Sequence, residues 1–140
     1  MKKNLYKELT DRQEKEFAEF PMMFAFSNEQ FAEGMVKLGL TAKDKDKIFS
    51  FGGGGYYKKS DSDRLKELLS RHNKEHLTAI EEDVTGLNYI ADMFSYELAN
   101  HEYGYTYDAE DTFNALGLTL EIINKKENLI SGLSKALEEY

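Results

Sequence analysis

Apolar residues recur at helical spacing through most of the chain. From Asn4 to Phe20 they fall at Leu5, Leu9, Phe17 and Phe20, near one face, and Pro21 ends the run because proline disfavours helical geometry in the residue before it. The apolar stretch "PMMFAF" that follows is expected to be buried. Ser27 opens a second helix with a full set of signals. Ser27 and Gln30 form a capping box, and Phe26 and Phe31 are spaced as a hydrophobic staple. Phe31, Met35 and Leu38 share a face. Gly39 supplies a left-handed residue after the helix, Leu40 is placed to pack back, and Thr41 with Asp44 caps one further turn.

The period then shortens. In "KIFSFGGGGYYKK" the β-prone Ile48, Phe49, Phe51, Tyr56 and Tyr57 flank Gly52 to Gly55, which predicts a small hairpin from Lys47 to Lys59. Helical spacing resumes from Ser62 to Asp83, breaks at Thr85-Gly86, and returns from Leu87 to Asn100 with Leu87, Ile90, Ala91, Phe94 and Leu98 inward. Asp108 to Leu116, Thr119 to Lys126 and Asn128 to Tyr140 follow, the last with Leu129, Leu133 and Leu137 facing in. The segments "KLGLTAKDK" and "ALGLTLEII" share helix, Gly, Leu, Thr, helix, which is common capping grammar rather than a repeat array. The pattern predicts a mainly α (α+β) fold: a bundle of about five to six helices with one small β-hairpin, residues 1–140 forming a single domain.

Composition narrows the chemistry. No cysteine among the 140 residues means no disulfide and no thiolate metal site. The start has lysines but no apolar signal region, and no run approaches a membrane span, so a cytoplasmic location is expected. The net charge of −8 is unevenly spread: from Glu75 to Asn124 there are eleven carboxylates and no Lys or Arg. Such a field disfavours direct contact with nucleic acid or an anionic membrane and favours a basic partner. A solvated face that aids solubility is the plainer alternative.

Inside this block, "NHEYGYTYDAED" (100–111) alternates Tyr103, Tyr105 and Tyr107 among Glu97, Glu102, Asp108, Glu110 and Asp111. Tyrosine offers large, rigid contact area at low entropic cost. In an extended segment the three rings would share a side, with carboxylates steering a basic surface toward them. Rings packed onto the helices, with the acids in water, is the competing arrangement.

His72 to His76 matches H-x-x-E-H, whose histidines share a helical face and can hold a metal. An antiparallel return of the next helix would bring Glu97 level with His72 and His101 a turn beyond, so His72, His76, Glu97 and His101 form an alternative, metal-binding set. Buried histidines more often satisfy a carboxylate or carbonyl, so no metal or other cofactor is expected. Gly52 to Gly55 lacks both phosphate-loop patterns and reads as a turn. The "LGLT" elbows lack the basic second helix that a DNA reader needs. The acidic "DKDKIF" and "DSDRLK" runs lack the glycine of a calcium loop. Self-association through helical faces stays open.

"FPMMFAFSNEQFAEGMVKLGL", "GGGGYYKKSD" and "NHEYGYTYDAEDTFNALGL" together resemble a family of small acidic proteins from low-GC Gram-positive bacteria, their phages and conjugative elements. The likeness runs from about residue 4 to residue 137 and brings no assigned activity. It implies a mobile-element origin, a setting in which small acidic proteins inhibit host defences or mimic DNA. The sequence therefore points to a non-enzymatic acidic interaction protein whose partner carries a basic surface, such as a nucleic-acid-binding protein. A metal-binding protein or small metalloenzyme built on His72 and His76 is the alternative.

Overall fold

A computed structural model describes residues 3–140, of which 65% of the chain is helical. The elements run α1 (Leu5–Ala18), β1 (Met23–Phe24), α2 (Asn28–Lys37), a 3-10 turn (Lys45–Lys47), β2 (Ile48–Gly52), β3 (Gly55–Lys58), a second 3-10 turn (Lys59–Asp61), α3 (Ser62–Glu82), α4 (Tyr89–Asn100), α5 (Tyr103–Thr106), α6 (Glu110–Leu116), α7 (Leu120–Asn124) and α8 (Glu127–Leu137). The fold is mainly α with a small β part, as the pattern predicts. The described residues hold eight α-helices, however, not five to six. The chain forms two compact units: one joins the segment ending at Gln13 with Asn73–Tyr140, and the other is Glu14–His72.

In the Glu14–His72 unit, "PMMFAF" is not a buried linker. It forms β1, which pairs antiparallel with β3 (Met23 opposite Tyr56, Phe24 opposite Gly55), so the expected hairpin becomes a three-stranded sheet in the order β1-β3-β2. Period-two alternation then explains the burial. Met23, Ile48 and Tyr56 turn to one side and pack with Met35, Leu38 and Phe31. Phe24 and Phe26, on the other phase, are 54% and 78% exposed.

The Ser27 cap forms as read, but the Gln30 side chain reaches one residue further back than in a capping box, to Phe26 rather than to the Ser27 N–H. The Gln30 amide donates to Ser27 Oγ (3.1 Å), and the Phe26 amide donates to Gln30 Oε1 (2.8 Å). The staple's rings are engaged elsewhere: Phe26 lies over Gly54, and Phe31 sets its edge on Tyr56 at 5.5 Å. The α2 exit is a Schellman turn. Gly39 has φ +78°, its N–H donates to Val36 O (2.9 Å), and the Leu40 N–H donates to Met35 O (2.8 Å). The second "LGLT" repeats it, with Gly117 at φ +67° and the Leu118 N–H donating to Phe113 O (2.9 Å).

The other unit is organised around α4, which buries Tyr89, Ile90, Met93, Phe94 and Leu98 against Ile80, Ile123, Leu129 and Ala136. Leu5 and Leu87, expected inward, are 44% and 46% exposed. Two buried carboxylates set the helix entries. Asp83 accepts the backbone N–H groups of Gly86 (3.1 Å), Asn88 (3.1 Å) and Ile90 (2.9 Å). Asp92 accepts the Leu5 N–H at the start of α1 (2.9 Å). Asn128 closes the same junction by donating to Ile80 O and Asp83 O, both at 3.2 Å. Helix α8 crosses at Gly132, where a Cβ would sit 2.3 Å from Ile90 Cγ2.

Candidate interaction surface

The tyrosine segment is not extended. After α4 ends, Glu102 takes a left-handed conformation (φ +57°), Tyr103 to Thr106 wind into the single turn of α5, and Tyr107 is left-handed again (φ +52°). Each left-handed non-glycine residue costs about 1 kcal/mol or more, so neighbouring contacts must hold this turn. One such contact is visible. Tyr103 packs onto the core and meets the Tyr140 ring edge-on at 5.0 Å, with Tyr107 at 5.8 Å. Tyr140 also lies against Gly104, where a Cβ would be 3.3 Å away. Burial, then Glu139 and Tyr103, push the Tyr140 phenol above its ordinary value.

The helical turn redistributes the predicted residues. Tyr103 is half-buried and structural, whereas Tyr105 is 90% exposed and Tyr107 70% exposed. Glu102, Asp108, Glu110 and Asp111 are exposed. Three of those acids also serve the fold locally. The Asp108 carboxylate accepts the Glu110 N–H (2.9 Å), and Glu110 and Asp111 occupy the first turn of α6, where negative charge is favoured. Glu97, expected at the surface, is buried at 7% exposure. Its Oε2 lies 3.6 Å from His101 Nε2, and its backbone carbonyl accepts the buried Thr112 hydroxyl (3.2 Å). Tyr140, itself 45% exposed, is part of the ring cluster that sequence reasoning missed; only its aromatic character hinted at a contact with another ring.

The histidines diverge. His76 Nδ1 lies 2.6 Å from the Tyr89 hydroxyl, in a cluster with the rings of Tyr6 and Tyr89. Burial lowers the His76 pKa and raises that of Tyr89. Tyr6 is pushed up to about 12, chiefly by burial, then by Glu97 and Tyr96. Among the described residues of this unit, His76, Glu97 and His101 do not bring ligand atoms within 4.8 Å of one another. His72, in the other unit, faces Glu16, with Nε2 3.5 Å from Oε2. The structure thus gives these groups other partners. Glu97 and His101 pair with each other, and His76 is taken by Tyr89.

Charge separates with the two units. Residues 14–72 carry ten Lys/Arg and ten Asp/Glu, while the remainder carries eight and sixteen. The whole deficit of −8 thus belongs to the unit that holds α5 and α6. Among the described residues, no helix is long and apolar enough to cross a membrane.

A family of unknown function, DUF7659, matches residues 5–139. The chain belongs to DUF7659. Its profile spans both units, so the sheet with α2 and the helices around α4 are joint parts of the DUF7659 chain. No curated protein and no solved structure matches the chain.

Proposed function

We propose that this DUF7659 protein is a non-enzymatic interaction protein that binds a basic protein surface through the α5–α6 segment. The observation that carries the reading is the exposure of Tyr105 and Tyr107, 90% and 70%, beside Glu102, Asp108, Glu110 and Asp111. Two large rings held in water cost hydration free energy that a partner would recover, and each anchors contact with few torsions to freeze. The surrounding carboxylates have no Lys or Arg between residues 75 and 124, so they attract a cationic surface from a distance and raise the association rate. Tyr103 and Glu97 support the segment from within and do not touch the partner. A nucleic-acid-binding protein is the favoured kind of partner, since it carries a basic face by necessity. The cytoplasmic location expected from the sequence and the mobile-element origin implied by the resemblance belong to the same proposal.

The test is affinity capture from host lysate with two variants. Tyr105→Ala with Tyr107→Ala removes the anchors; Tyr107 also caps α5 through its backbone, so circular dichroism must first show the variant folded. It is expected to weaken capture of a basic prey by on the order of 1,000-fold, at about 2 kcal/mol per interface tyrosine. Glu102→Lys, Glu110→Lys and Asp111→Lys reverse the field and should abolish capture at low salt. Capture unchanged in both folded variants would overturn the proposal.

A further inference from the structure

The α5 turn carries both exposed rings of the interaction surface, yet it has little of its own to hold it. Left-handed residues bracket it, Glu102 at φ +57° and Tyr107 at φ +52°. Its amides make few bonds: Tyr105 and Thr106 donate to Glu102 O (2.9 and 3.3 Å), and Tyr107 donates to Tyr103 O (2.8 Å). A helix of four residues with so few bonds does not persist alone in water. Its order must come from outside the turn.

Tyr140 supplies a fixed point. It lies beyond α8, where its N–H donates to Leu137 O (3.0 Å), and the preceding Glu139 carboxylate accepts the Ser95 hydroxyl of α4 at 3.1 Å to each oxygen. The Tyr140 ring stands edge-on to Tyr103 at 5.0 Å. It also lies so close to Gly104 that a Cβ there would be 3.3 Å from Cε1, so the bare glycine backbone forms one wall of its seat. Tyr107 in turn leans on Tyr103 at 5.8 Å. The contacts therefore run without a gap from α4 and α8, through Tyr140 and Tyr103, to Tyr107. Among the described residues the Tyr140 hydroxyl makes no hydrogen bond, so the ring itself does the holding.

We propose that Tyr140 is the positioning residue of the interaction surface: its ring seats the α5 turn and thereby fixes the direction in which Tyr105 and Tyr107 face a partner. The inference rests on the reading of α5–α6 as that surface. Tyr140 does not touch the partner. It acts by ordering the anchors beforehand, which spares the partner the entropic cost of ordering them. Without the ring, nothing offsets the two left-handed residues, and 102–107 relaxes to a mobile loop with its charge and its exposed tyrosines unchanged.

Nitrogen-15 relaxation of the full chain, with capture of basic prey from host lysate, tests this. Backbone order parameters over 103–107 should be about 0.85 in the unaltered protein and below about 0.6 in Tyr140→Ala, while those of α4 and α8 stay unchanged. Capture should weaken about tenfold, the size of one strong ring contact. Tyr140→Phe keeps the ring and should restore both. A turn that stays rigid in folded Tyr140→Ala overturns the proposal, as does a loss that phenylalanine does not restore. A loosened turn with capture equal to the parent also overturns it and leaves the docking reading standing. If the unaltered chain captures no basic prey, the docking reading falls, whereas a loosened turn still establishes the hold of Tyr140 on α5. If Tyr140→Ala does not fold, NOEs in the unaltered protein decide: they should join the Tyr140 ring to Gly104 and to the Tyr103 ring, and their absence overturns the proposal.

Discussion

Replacing Asp83 with alanine removes the carboxylate that closes the turn between α3 and α4, and its cost can be worked from the donors left behind. The side chain accepts from the amides of Gly86, Asn88 and Ile90. These losses are unequal. The Gly86 N–H also reaches the Asp83 backbone carbonyl at 3.2 Å, which survives the substitution. The Asn88 amide is only partly buried and can turn to water. The Ile90 amide is buried, and the Gly86 carbonyl one turn back already accepts the Ala91 N–H at 3.0 Å. Orphaning one buried donor costs about 1–3 kcal/mol, and weakening two charge-assisted bonds adds about 1 more, so Asp83→Ala should cost about 3 kcal/mol. At a few degrees per kcal/mol for a chain of this size, the melting temperature should fall by about 10 °C. Asp83→Asn keeps one acceptor oxygen and should lose about half as much. Thermal and urea unfolding followed by circular dichroism measure both. An alanine variant within about 0.5 kcal/mol of the parent would show that the turn does not depend on this carboxylate, and the account of how α4 is seated would fail.

Gly132→Ala drives a methyl group to within 2.3 Å of Ile90 Cγ2 and 2.7 Å of the Gly86 carbonyl. Overpacking against backbone leaves little room to relax, so a loss of about 3 kcal/mol is expected in the same unfolding assay. His76 has a folded pKa below its ordinary value through burial. The unfolded chain therefore binds the proton more readily, and stability rises with pH across the window ending near 6.5. Below that pH the contribution is lost, and His76→Gln should flatten this part of the stability-versus-pH curve. Glu102→Gly relieves a left-handed residue at φ +57° and should leave stability equal or higher by about 0.5 kcal/mol, whereas Glu102→Val should lower it by about 1 kcal/mol or more.

What the sequence made legible was chiefly local. The Ser27 cap and the two Gly-Leu-Thr exits specify their turns through residues within five positions of each other, and the structure forms them as read, save that Gln30 reaches back to Phe26 instead of Ser27. The hairpin was legible from β-prone residues around the glycines. Its third strand was not, because two residues of pairing in β1 leave almost no periodic signal. The tyrosine alternation misled for a related reason. Period two suggests an extended strand, but left-handed residues at Glu102 and Tyr107 enclose a helical turn whose support comes from Tyr140, thirty-three or more positions away along the chain. The burial of Glu97 and Asp83 was hidden likewise. Carboxylates in an acidic block read as surface groups, and only tertiary packing reveals that Asp83 faces backbone amides and Glu97 a histidine. The charge imbalance was legible in full, since summing it needs no geometry.

The most direct test of the interaction reading is site-specific photo-crosslinking from position 105. A benzoylphenylalanine in place of Tyr105 keeps the ring and the 90% exposure of the native side chain. The account predicts a covalent adduct in host cells with one predominant basic protein, strongest at low ionic strength and absent when the same probe replaces Val84, which is also exposed at 82%. No adduct from position 105, or equal adducts from both positions with prey of no common charge, would contradict it.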